Sequence, residues 1–386
     1  MRNKEKSKYD DFNNITSFEN LYNAHRSCRS GKLWKDSAAA YELRALECTI
    51  YLKYLLESGK YKISPYHEFE VNERGKVRQI KSTKYKDRVV QKSMNDNIFK
   101  PYITKKFVYE NGASQEGKGT DFQIDLLRCH LQEEVRKNGV NSYILIGDFH
   151  DYFNSFPHKT LDELYSKYFT DDRILALIKH IHDSIPGDTG SPLGNQLSQN
   201  DALLIANGID HYIKENLHIR GYGRYMDDFY LIHHDKEYLK RCLDVINKMA
   251  GELGLELNTH KTKIVPITAG FNFLGFHVYV TGSCKVVMRI KSKSKARERQ
   301  KIRKQKKKVL NEEMTFKDAM ESYAAWRAHA ARGDTYYMLL EMDLYFYGQF
   351  FDYLDESQKA TYRKLKHKNE VRKEKRRKTK NGKTTK

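Results

Sequence analysis

Cysteine is scarce in this sequence, and its spacing is irregular. Five cysteines occur among 386 residues, too far apart for the paired ligands of a zinc site and odd in number for a disulfide framework. We therefore expect reduced thiols in a folded core. The five are Cys28, Cys48, Cys129, Cys242 and Cys284.

Long apolar runs are missing as well. No stretch approaches the ~20 consecutive apolar residues of a transmembrane helix, and the N-terminus lacks the apolar region of a secretory signal. Pro-rich linkers and internal repeats are also absent. The sequence thus predicts a cytoplasmic protein with no membrane partner, built as one interlocked multidomain body.

Acidic residues are too few to balance the basic ones. Lys and Arg number 70 against 50 Asp and Glu, and two segments near the C-terminus account for the excess. Residues 285–309 contain 13 Lys or Arg against one Glu, and residues 361–386 contain 13 against two. Such segments are typical of a surface that follows phosphates. For 361–386 we also expect disorder, because this basic tail has little to bury.

The rest of the sequence has the pattern of a folded chain. Helical periodicity alternates with short apolar runs, which predicts an α+β fold. The expected helices cover 14–59, 87–99, 121–137, 199–216, 237–254, a basic segment from 292 and 316–351. The expected strands form a hairpin over 61–83, a strand at 142–147, a hairpin around Tyr225 and short strands over 255–290.

Two adjacent carboxylates stand out within this pattern. Asp227 and Asp228 follow Tyr225-Met226 and precede the apolar run at 229–232. Removing an unpaired carboxylate from water is costly and two neighbouring carboxylates repel, so a bound divalent metal explains the pair most simply. An acidic hairpin turn is the alternative, because Asp is a common turn residue.

A third carboxylate is placed to join this pair. The apolar run at 142–147 stops at Asp148, which puts an acid at the end of a buried strand. If that strand lies beside the Asp227 hairpin in one sheet, the three acids meet. They could then hold two Mg²⁺ ions roughly 4 Å apart, as two-metal nucleotidyl transfer requires. The carbonyl of Phe149 would complete the coordination, and Mn²⁺ is an alternative ion.

Short segments, in order along the chain, resemble the motifs of bacterial reverse transcriptases of the retroelement type, from about Ser17 to Phe346. They are Lys86–Gln91, Ile146–Phe153, Pro192–Gln199, Tyr225–Asp228, Leu255–Asn258, Lys261–Thr262 and Phe273–Phe276. The resemblance implies a right-hand polymerase with fingers, a palm with an antiparallel sheet and helices, and a helical thumb. The implied boundaries are 1–60 for an N-terminal helical extension, 61–140 for the fingers, 141–284 for the palm with a finger insertion at about 156–190, 285–360 for the basic thumb and 361–386 for the tail.

The resemblance also implies roles for single residues. Asp148, Asp227 and Asp228 would be the catalytic metal ligands. Phe153 matches the steric gate, whose ring would clash with a 2′-hydroxyl and so select deoxynucleotides. Other residues would bind the incoming nucleotide, and a later turn would form the primer grip. They are Lys76, Arg78, Leu193, Gly194, Gln199 and Lys261 for the nucleotide, and Phe273, Leu274 and Gly275 for the primer.

One motif departs from the pattern of intron-encoded and retron enzymes. Those enzymes have Gln before the Gly and end the motif with Ser-Pro, whereas this chain has Leu193 before Gly194 and ends with Ser198-Gln199. The variant resembles the enzymes of diversity-generating retroelements and of some phage-defence systems. Because Leu193 replaces an amide that can hydrogen-bond, we expect reduced base-pair fidelity.

The C-terminal third carries thumb features and no second catalytic module. Residues 321–335 are similar to the thumb of compact reverse transcriptases, and no later segment has the spacing of a nuclease or zinc module, so we expect no DNA cleavage. The basic residues at 285–309 are candidates for gripping the template-primer backbone.

The expected function is RNA-directed DNA polymerisation in a defence system or a diversity-generating retroelement. The expected partners are a cognate noncoding RNA template, the DNA product and dNTPs, with an accessory protein or a second reverse transcriptase subunit as possible additions. Two alternatives stay open: untemplated or protein-primed DNA synthesis, and a non-catalytic RNA-binding scaffold.

Overall fold

The computed structural model describes residues 7–73 and 76–381 and combines helices with antiparallel sheets. The helices are α1 (Asn13–Thr16), α2 (Phe18–Arg29), α3 (Asp36–Leu43), α4 (Ala45–Glu57), α5 (Tyr85–Met94), α6 (Thr120–Asn138), α7 (Tyr152–Ser155), α8 (His158–Ser166), α9 (Asp172–Asp183), α10 (Leu197–Ile205), α11 (Asn207–Glu215), α12 (Lys236–Glu252), α13 (Ser292–Leu310), α14 (Phe316–Ala331), α15 (Tyr336–Gln349) and α16 (Glu356–Asn381). A π-helix covers Asn95–Ile103, and short 3₁₀ turns cover Thr104–Lys106 and Phe351–Tyr353. The strands are β1 (His67–Glu73), β2 (Lys76–Ser82), β3 (Tyr143–Asp148), β4 (Gly221–Tyr225), β5 (Asp228–His233), β6 (Lys263–Pro266), β7 (Phe271–Phe273), β8 (Phe276–Val280) and β9 (Val286–Ile290).

The predicted helix over 316–351 is two helices, α14 and α15, separated by a turn. Asp334 explains the break, because its side chain accepts a hydrogen bond from the Met288 backbone N–H at 2.9 Å and its own N–H donates to the Met288 carbonyl at 2.7 Å. Thr315 caps the start of α14 through a capping box with Asp318. A side chain tied to β9 therefore fixes a turn that helical periodicity alone does not reveal.

The chain divides into two compact units. The first contains residues 1–130 and 142–264, and the second contains 131–141 and 265–386. Strands β7, β8 and β9 form a three-stranded sheet of their own, and this sheet belongs to the second unit together with α13–α16. The expected palm boundary at 284 therefore differs from this division, because β7–β9 are not hydrogen-bonded to the four-stranded sheet of the first unit.

The first unit is built around β4, β5 and β3 of a four-stranded sheet in the order β4-β5-β3-β6, and β6 begins at the end of this unit. Strand β3 pairs antiparallel with β5, and β5 pairs with β4. Phe229 of β5 lies across Gly147 of β3, where an added Cβ would come 2.0 Å from the ring. Buried side chains of α12 recur at helical spacing over the sheet: Leu239, Cys242, Ile246 and Ala250.

A second core in the same unit joins the N-terminal helices to α5, the π-helix and α8–α10. Val89, Met94 and Ile98 are fully buried in it. The carboxylate of Asp87 is also buried, and accepts hydrogen bonds from the Tyr61 hydroxyl at 2.7 Å and the Ser64 backbone at 3.1 Å. This polar anchor fixes the start of α5 against the segment that leads into β1.

In the second unit, α13, α14 and α15 enclose an aromatic core in which Tyr323 stacks on Phe346 with centroids 4.4 Å apart. The expected disorder of 361–386 is wrong as far as Asn381, because α16 continues to that residue; 382–386 lie outside the described residues. The helix is held by contacts that charge patterning did not reveal. Arg372 lies over the Tyr337 ring at 4.4 Å and pairs with Glu341 at 3.4 Å.

All five cysteines are free thiols, but the expectation of five core thiols is only partly met. Cys242 is buried, Cys28 and Cys48 are half-buried, and Cys129 and Cys284 are exposed. Within the described ranges, no helix has both the length and the apolar character needed to cross a membrane.

Candidate active site

The structure brings the three predicted acids to one end of the four-stranded sheet. Asp148, the last residue of β3, is directly opposite Asp228, the first residue of β5. Asp227 precedes Asp228 in the β4–β5 turn, and its carbonyl accepts a hydrogen bond from the Phe149 N–H at 3.1 Å. Asp148 is only 3% exposed. The sequence pattern that placed an acid at a strand end therefore predicted this convergence.

The turn that carries Asp227 is held in an unusual backbone conformation. Met226 has a φ of 55°, in the left-handed region that a residue with a long side chain seldom occupies. Such a conformation costs of order 1–3 kcal/mol and persists where the surroundings over-determine it. Here those surroundings include the paired residues Tyr225 and Asp228 on either side of the turn and a hydrogen bond to the Met226 carbonyl.

Lys261 provides a positive charge beside Asp148. Its Nζ lies 2.8 and 2.6 Å from the two carboxylate oxygens. The turn that carries Lys261 is tied to the end of β3, because the Asn258 N–H donates to the Asp148 carbonyl at 2.7 Å and the Thr262 N–H donates to the Asn258 carbonyl at 2.8 Å. The bond with Asp148, supported by the attraction between the two charges, raises the pKa of Lys261 although burial opposes this.

The two acids of the turn are difficult to ionise together. Burial raises the pKa of Asp228 to about 7, and the negative charges of Asp227 and Asp148 add to the effect. Burial and the charge of Asp148 also raise the pKa of Asp227, while Lys261 and Arg78 oppose the shift. Lys261 therefore does not neutralise the cluster.

This donor set fits a divalent cation in charge and in chemistry. Three carboxylates face one ammonium group, and hard cations such as Mg²⁺ prefer oxygen ligands. Phe149 forms an antiparallel β-bridge with Leu257. The two hydrogen bonds of this bridge use the Asp148 carbonyl and the His150 N–H, so the Phe149 carbonyl takes no part in them. As the side chains stand, no three His, Cys, Asp or Glu residues in the described chain are placed to hold a metal ion together. Coordination by all three acids would therefore require side-chain movement, and Asp148 would have to exchange its contact with Lys261 for the ion.

A buried ion pair that the sequence analysis missed supports the turn. Arg224 is 1% exposed, and its guanidinium donates to both carboxylate oxygens of Asp210, at 2.7 and 2.6 Å. It also donates to the carbonyls of Ala202, Leu203 and Met226 at 3.1–3.2 Å. The signal was an arginine inside an otherwise apolar strand, which required a buried acidic partner.

The β1–β2 hairpin brings predicted nucleotide-binding residues to the first unit. Arg78 lies in the exposed part of β2, close enough to the acids for its charge to lower the pKa of Asp227. The backbone of Lys76 begins β2, but its side chain lies outside the described residues. The predicted hairpin is present, with Glu73 opposite Lys76, but its strands cover His67–Glu73 and Lys76–Ser82, and residues 61–66 precede them as irregular chain.

The loop before α10 packs directly against this hairpin. The Lys81 N–H donates to the Leu193 carbonyl at 3.0 Å. Gly194 has a φ of 109°, and a Cβ there would come 2.8 Å from the Lys81 carbonyl oxygen, so only glycine fits without a backbone shift. Gln199 accepts a hydrogen bond from the Ser114 hydroxyl at 2.9 Å, a partner that sequence reasoning missed.

The same loop is anchored from behind by a buried polar network. The Asp201 carboxylate accepts hydrogen bonds from the hydroxyls of Ser191, at 2.6 Å, and Tyr165, at 2.8 Å. His182 lies between Asp162, at 2.7 Å, and Asp201, at 3.5 Å. Burial would lower the pKa of His182, but the two acids outweigh it and raise the pKa to about 9. The network joins α8, α9 and α10 beneath the loop.

Phe153 lies at the edge of the core. Its ring is half-buried and contacts Tyr152 and Phe156, with centroids 5.9 and 5.8 Å apart. Its backbone carbonyl accepts a hydrogen bond from the Ser191 N–H at 2.7 Å. The residue is thus fixed next to the loop that carries Leu193 and Gly194.

The predicted primer grip lies in the second unit, in the turn between β7 and β8. Leu274 and Gly275 have φ values of 40° and 91°, and Phe273 pairs with Phe276 across the turn. His329 of α14 lies beside it, with its ring 5.0 Å from that of Phe276. The turn is therefore held by strand pairing and by contact with α14 in the second unit.

Comparison with known proteins identifies the family. Residues 67–278 match the family of the reverse transcriptase (RNA-dependent DNA polymerase). Protein YkfC of Escherichia coli (strain K12) is 25% identical over 265 residues, which cover 57% of this chain and 68% of that protein.

Among solved structures, the chain is similar to apo telomerase of Candida tropicalis truncated from its C-terminal domain, with a TM-score of 0.43, 13% identity, and coverage of 63% of this chain and 60% of that chain. For the apo telomerase of the same organism, the TM-score is 0.42 and the identity 14%, over 63% of this chain and 53% of that chain. The chain thus spans less than two thirds of either Candida tropicalis protein. For telomerase from Candida albicans in complex with a fragment of telomeric RNA, the TM-score is 0.44 and the identity 11%, over 83% of this chain and 68% of that chain.

The family match covers more than half of the chain and includes all three converging acids. The match confirms the right-hand polymerase fold that the motifs predicted. Reverse transcriptase domains of this kind are nucleotidyltransferases that use divalent metal ions. The chain belongs to the reverse transcriptase (RNA-dependent DNA polymerase) family.

Proposed function

We propose that this protein extends a DNA strand on an RNA template, using two Mg²⁺ ions. The observation that carries the proposal is the cross-strand position of Asp148 and Asp228, with Asp227 beside them in the turn. Burial and mutual repulsion raise the pKa of both turn acids, and bound cations would relieve the repulsion. A merely structural acidic turn gains nothing from placing one buried and two half-buried carboxylates at one strand end.

In this proposal Asp148, Asp227, Asp228 and the Phe149 carbonyl hold the ions. Ions bound there would supply Lewis-acid chemistry, activating the primer 3′-hydroxyl and stabilising the pyrophosphate leaving group. The rigid β3–β5 pairing fixes two of the ligands against each other. With Asp148 engaged by metal, Lys261 would be available to the negative charge of the triphosphate.

The remaining nucleotide contacts follow from the hairpin and the loop. Lys76 and Arg78 would bind the triphosphate from β2. Leu193, Gly194 and Gln199 would pack on the base and sugar, and the half-buried ring of Phe153 would exclude a 2′-hydroxyl. The backbone hydrogen bond from Lys81 to Leu193 joins the hairpin to the loop. The residues that contact the triphosphate and those that contact the base would therefore be held in a fixed relative position.

For the second unit, we propose contacts with the primer and the template-primer duplex. The Phe273–Gly275 turn would hold the primer end. The basic helix α13 exposes several Lys and Arg side chains and buries only Glu298, Ile302, Gln305 and Val309, so its charge is available to phosphates. Affinity for the duplex should fall steeply as salt concentration rises.

The test is primer extension by the full chain on a primed RNA, with Mg²⁺ and labelled dNTPs. Asp148→Asn, Asp227→Asn and Asp228→Asn should each abolish extension without lowering RNA affinity, whereas Asp244→Asn, on α12, should extend normally. Synthesis that survives in any of the three variants would refute the assignment. Reactions without template, followed by sequencing of the product, separate copying from untemplated or protein-primed synthesis.

For the biological setting, we propose a bacterial phage-defence system, with a diversity-generating retroelement as the alternative. Leu193 and the Ser198-Gln199 ending support both, because both groups carry this variant. The expected partner is a cognate noncoding RNA, with an accessory protein or a second reverse transcriptase subunit. Sequencing the nucleic acid that copurifies with the protein would identify the template, product and primer together. A template from a repeated variable gene would favour diversification.

A further inference from the structure

An apolar stripe on α4 is exposed to solvent. Leu46, Ile50 and Tyr54 follow one another at intervals of four residues, and Tyr51 stacks on Tyr54 with ring centroids 6.5 Å apart. These four side chains, the α4 stripe, are 50–62% exposed, and Leu43, the last residue of α3, is 86% exposed. Because residues four apart share one face of a helix, the stripe is continuous along α4.

The opposite face of α4 already packs against the protein. Thr49, Leu52 and Leu56 are buried there, and the two leucines belong to the core that the N-terminal helices share with α5. Helix α4 is therefore held in place without the stripe. A surface helix normally carries polar side chains on its outer face, so apolar side chains on both faces indicate a second packing partner.

The exposed apolar area is suited to an interface between two subunits. With about 150–250 Å² for each aromatic side chain and somewhat less for each aliphatic one, the stripe and Leu43 offer on the order of 600 Å² at their observed exposure. A stable interface needs about 800 Å² from each partner. The stripe supplies most of that area, and the polar side chains around it would supply the rest.

The charges beside the stripe balance one another. Arg44 pairs with Glu47 at 2.6 Å, and Lys53 pairs with Glu57 at 2.9 Å. The chain as a whole has a net charge of +20, which opposes the association of two copies. These four side chains instead present both signs in equal number. The stripe is therefore unsuited to a polyanion, and a second copy can approach it without local repulsion.

The order of residues along α4 is centred on Ile50. Leu46 and Tyr54 lie four residues before and after it, and Glu47 and Lys53 lie three residues before and after it. Such a helix is complementary to a reversed copy of itself, as a twofold interface requires. Reversal brings Glu47 of one copy level with Lys53 of the other, whereas parallel helices would bring the two Glu47 side chains level. Antiparallel helices also oppose their dipoles.

We propose that two copies of this chain pair through the α4 stripe, antiparallel and across a twofold axis at Ile50. Ile50 packs against Ile50 of the second copy, and Leu46 of each copy packs against Tyr54 of the other. The second subunit expected for this polymerase is then a copy of the same chain, and the pairing does not depend on catalysis. Helix α4 precedes the segment matched by the family, 67–278, so the interface belongs to the N-terminal extension.

Analytical ultracentrifugation of the full chain measures the pairing directly. After nuclease treatment and in high salt, which releases RNA that could bridge two copies, the wild type should sediment as a dimer at micromolar concentration. Ile50→Asp should raise the dissociation constant at least about tenfold, as expected for the centre of an interface. Leu310→Asp is the matched control, because Leu310 ends α13 and is also 59% exposed. A monomeric wild type, or equal weakening by both variants, would overturn the proposal.

Disulfide cross-linking tests the antiparallel arrangement. Ile50→Cys lies on the axis, so mild oxidation should join two copies. A mixture of Leu46→Cys and Tyr54→Cys copies should also cross-link, whereas Leu46→Cys alone should not. The wild type, with its exposed thiols Cys129 and Cys284, is the control and should not cross-link. Cross-linking by Leu46→Cys alone would show parallel helices and overturn the arrangement.

Primer extension distinguishes this inference from the proposed function, because the pairing is measured without nucleotide or template. A wild-type dimer that fails to extend a primer would refute the polymerase and leave the interface. Extension by a wild type that is monomeric would overturn the interface alone. A monomeric chain that binds a different protein, and releases it in Ile50→Asp, would also overturn pairing between copies.

Discussion

Arg224 and Asp210 form a buried ion pair in which the guanidinium donates two hydrogen bonds to the carboxylate, at 2.7 and 2.6 Å. The same guanidinium reaches the Met226 carbonyl at 3.2 Å. Asp210 lies on α11 and Arg224 on β4, so the pair fastens a helix to the strand that leads into the strained turn. The position of Asp227 therefore depends on two residues that do not approach the substrate.

Removing one partner of this pair should destabilise the protein strongly. Asp210→Asn leaves Arg224 buried without a counter-ion, and breaking a buried pair costs about 3–5 kcal/mol. Urea unfolding should show this decrease in the free energy of unfolding. The double variant Arg224→Met/Asp210→Leu should lose less than the sum of Arg224→Met and Asp210→Leu, because it leaves neither charge unpaired. Additive losses would show that the two charges are not coupled.

Lys261 should compete with divalent metal for Asp148. Its Nζ donates hydrogen bonds to both carboxylate oxygens. Lys261→Gln should therefore tighten Mn²⁺ binding by about twofold to fivefold, which corresponds to the ~0.2–1 kcal/mol of a partly exposed ion pair. Electron paramagnetic resonance of free Mn²⁺ measures this without any reaction. The same variant should raise the KM for dNTPs, since it removes the charge proposed to face the triphosphate.

Lys263→Gln is the matched control for this prediction. Lys263 is an exposed residue of β6, two positions along the chain, and its replacement removes the same charge without touching Asp148. If the Mn²⁺ affinity changes equally in both variants, the cause is the loss of one positive charge near the site. That result would contradict a specific competition at Asp148.

The convergence of the acids could be predicted, because each lies in a short local pattern. An apolar run that ends at Asp148 and another that begins after Asp228 specify two buried strands, and antiparallel pairing then brings their ends together. The support of the turn could not be predicted in the same way. Asp210 is 14 residues from Arg224 in the chain, and nothing in the helical pattern of α11 distinguishes a buried acid from an exposed one.

Helix α16 is an element whose order could not be predicted from the sequence. Its composition is that of a solvated basic tail, and its charge alone predicted disorder. The structure holds it through Arg372, which stacks on Tyr337 and pairs with Glu341 of α15. Contacts of one basic side chain with a preceding helix leave no periodic signal, so they become visible only after α15 has been placed.

Stability should decrease as the pH rises through the titration of His182. Its pKa is raised from 6.5 to about 9 because attraction to Asp201 and Asp162 outweighs burial. A raised pKa means that the stabilisation is complete below pH 6.5 and is lost as the pH passes about 9. The free energy of unfolding in urea should therefore fall over this interval, by at most about 3 kcal/mol.

His182→Gln should remove this part of the pH dependence. His234→Gln provides the control, because His234 is exposed and its loss should leave the pH profile as in the wild type. A wild-type free energy of unfolding that is constant between pH 6.5 and 9 would mean that the histidine is neutral in the folded protein.

Leu193 should lower the fidelity of copying. Its backbone carbonyl is used by Lys81, so replacing the side chain should leave the loop in place and change only the contacts available to the nucleotide. Leu193→Gln offers an amide that can hydrogen-bond there and should reduce misincorporation. Sequencing of products copied from a defined RNA measures the error rate. Equal error rates in the two proteins would remove the idea.

Phe153 should exclude ribonucleotides through the size of its ring. The side chain packs on Tyr152 and Phe156, and its carbonyl accepts a hydrogen bond from Ser191, so we expect the ring to stay in place against a 2′-hydroxyl. Phe153→Val should increase the ratio of rNTP to dNTP incorporation by about tenfold or more. Single-nucleotide extension with each substrate measures the ratio.

The control for Phe153 must separate sugar selection from a loosened core. Phe156 is fully buried in the same cluster, and Phe156→Leu should cost stability while leaving the substrate ratio unchanged. If both variants admit ribonucleotides equally, selectivity depends on the packing of the whole cluster. If neither variant admits ribonucleotides, the ring at 153 does not contact the sugar. A side chain that excludes the 2′-hydroxyl by its size must admit more ribonucleotide when it is shortened.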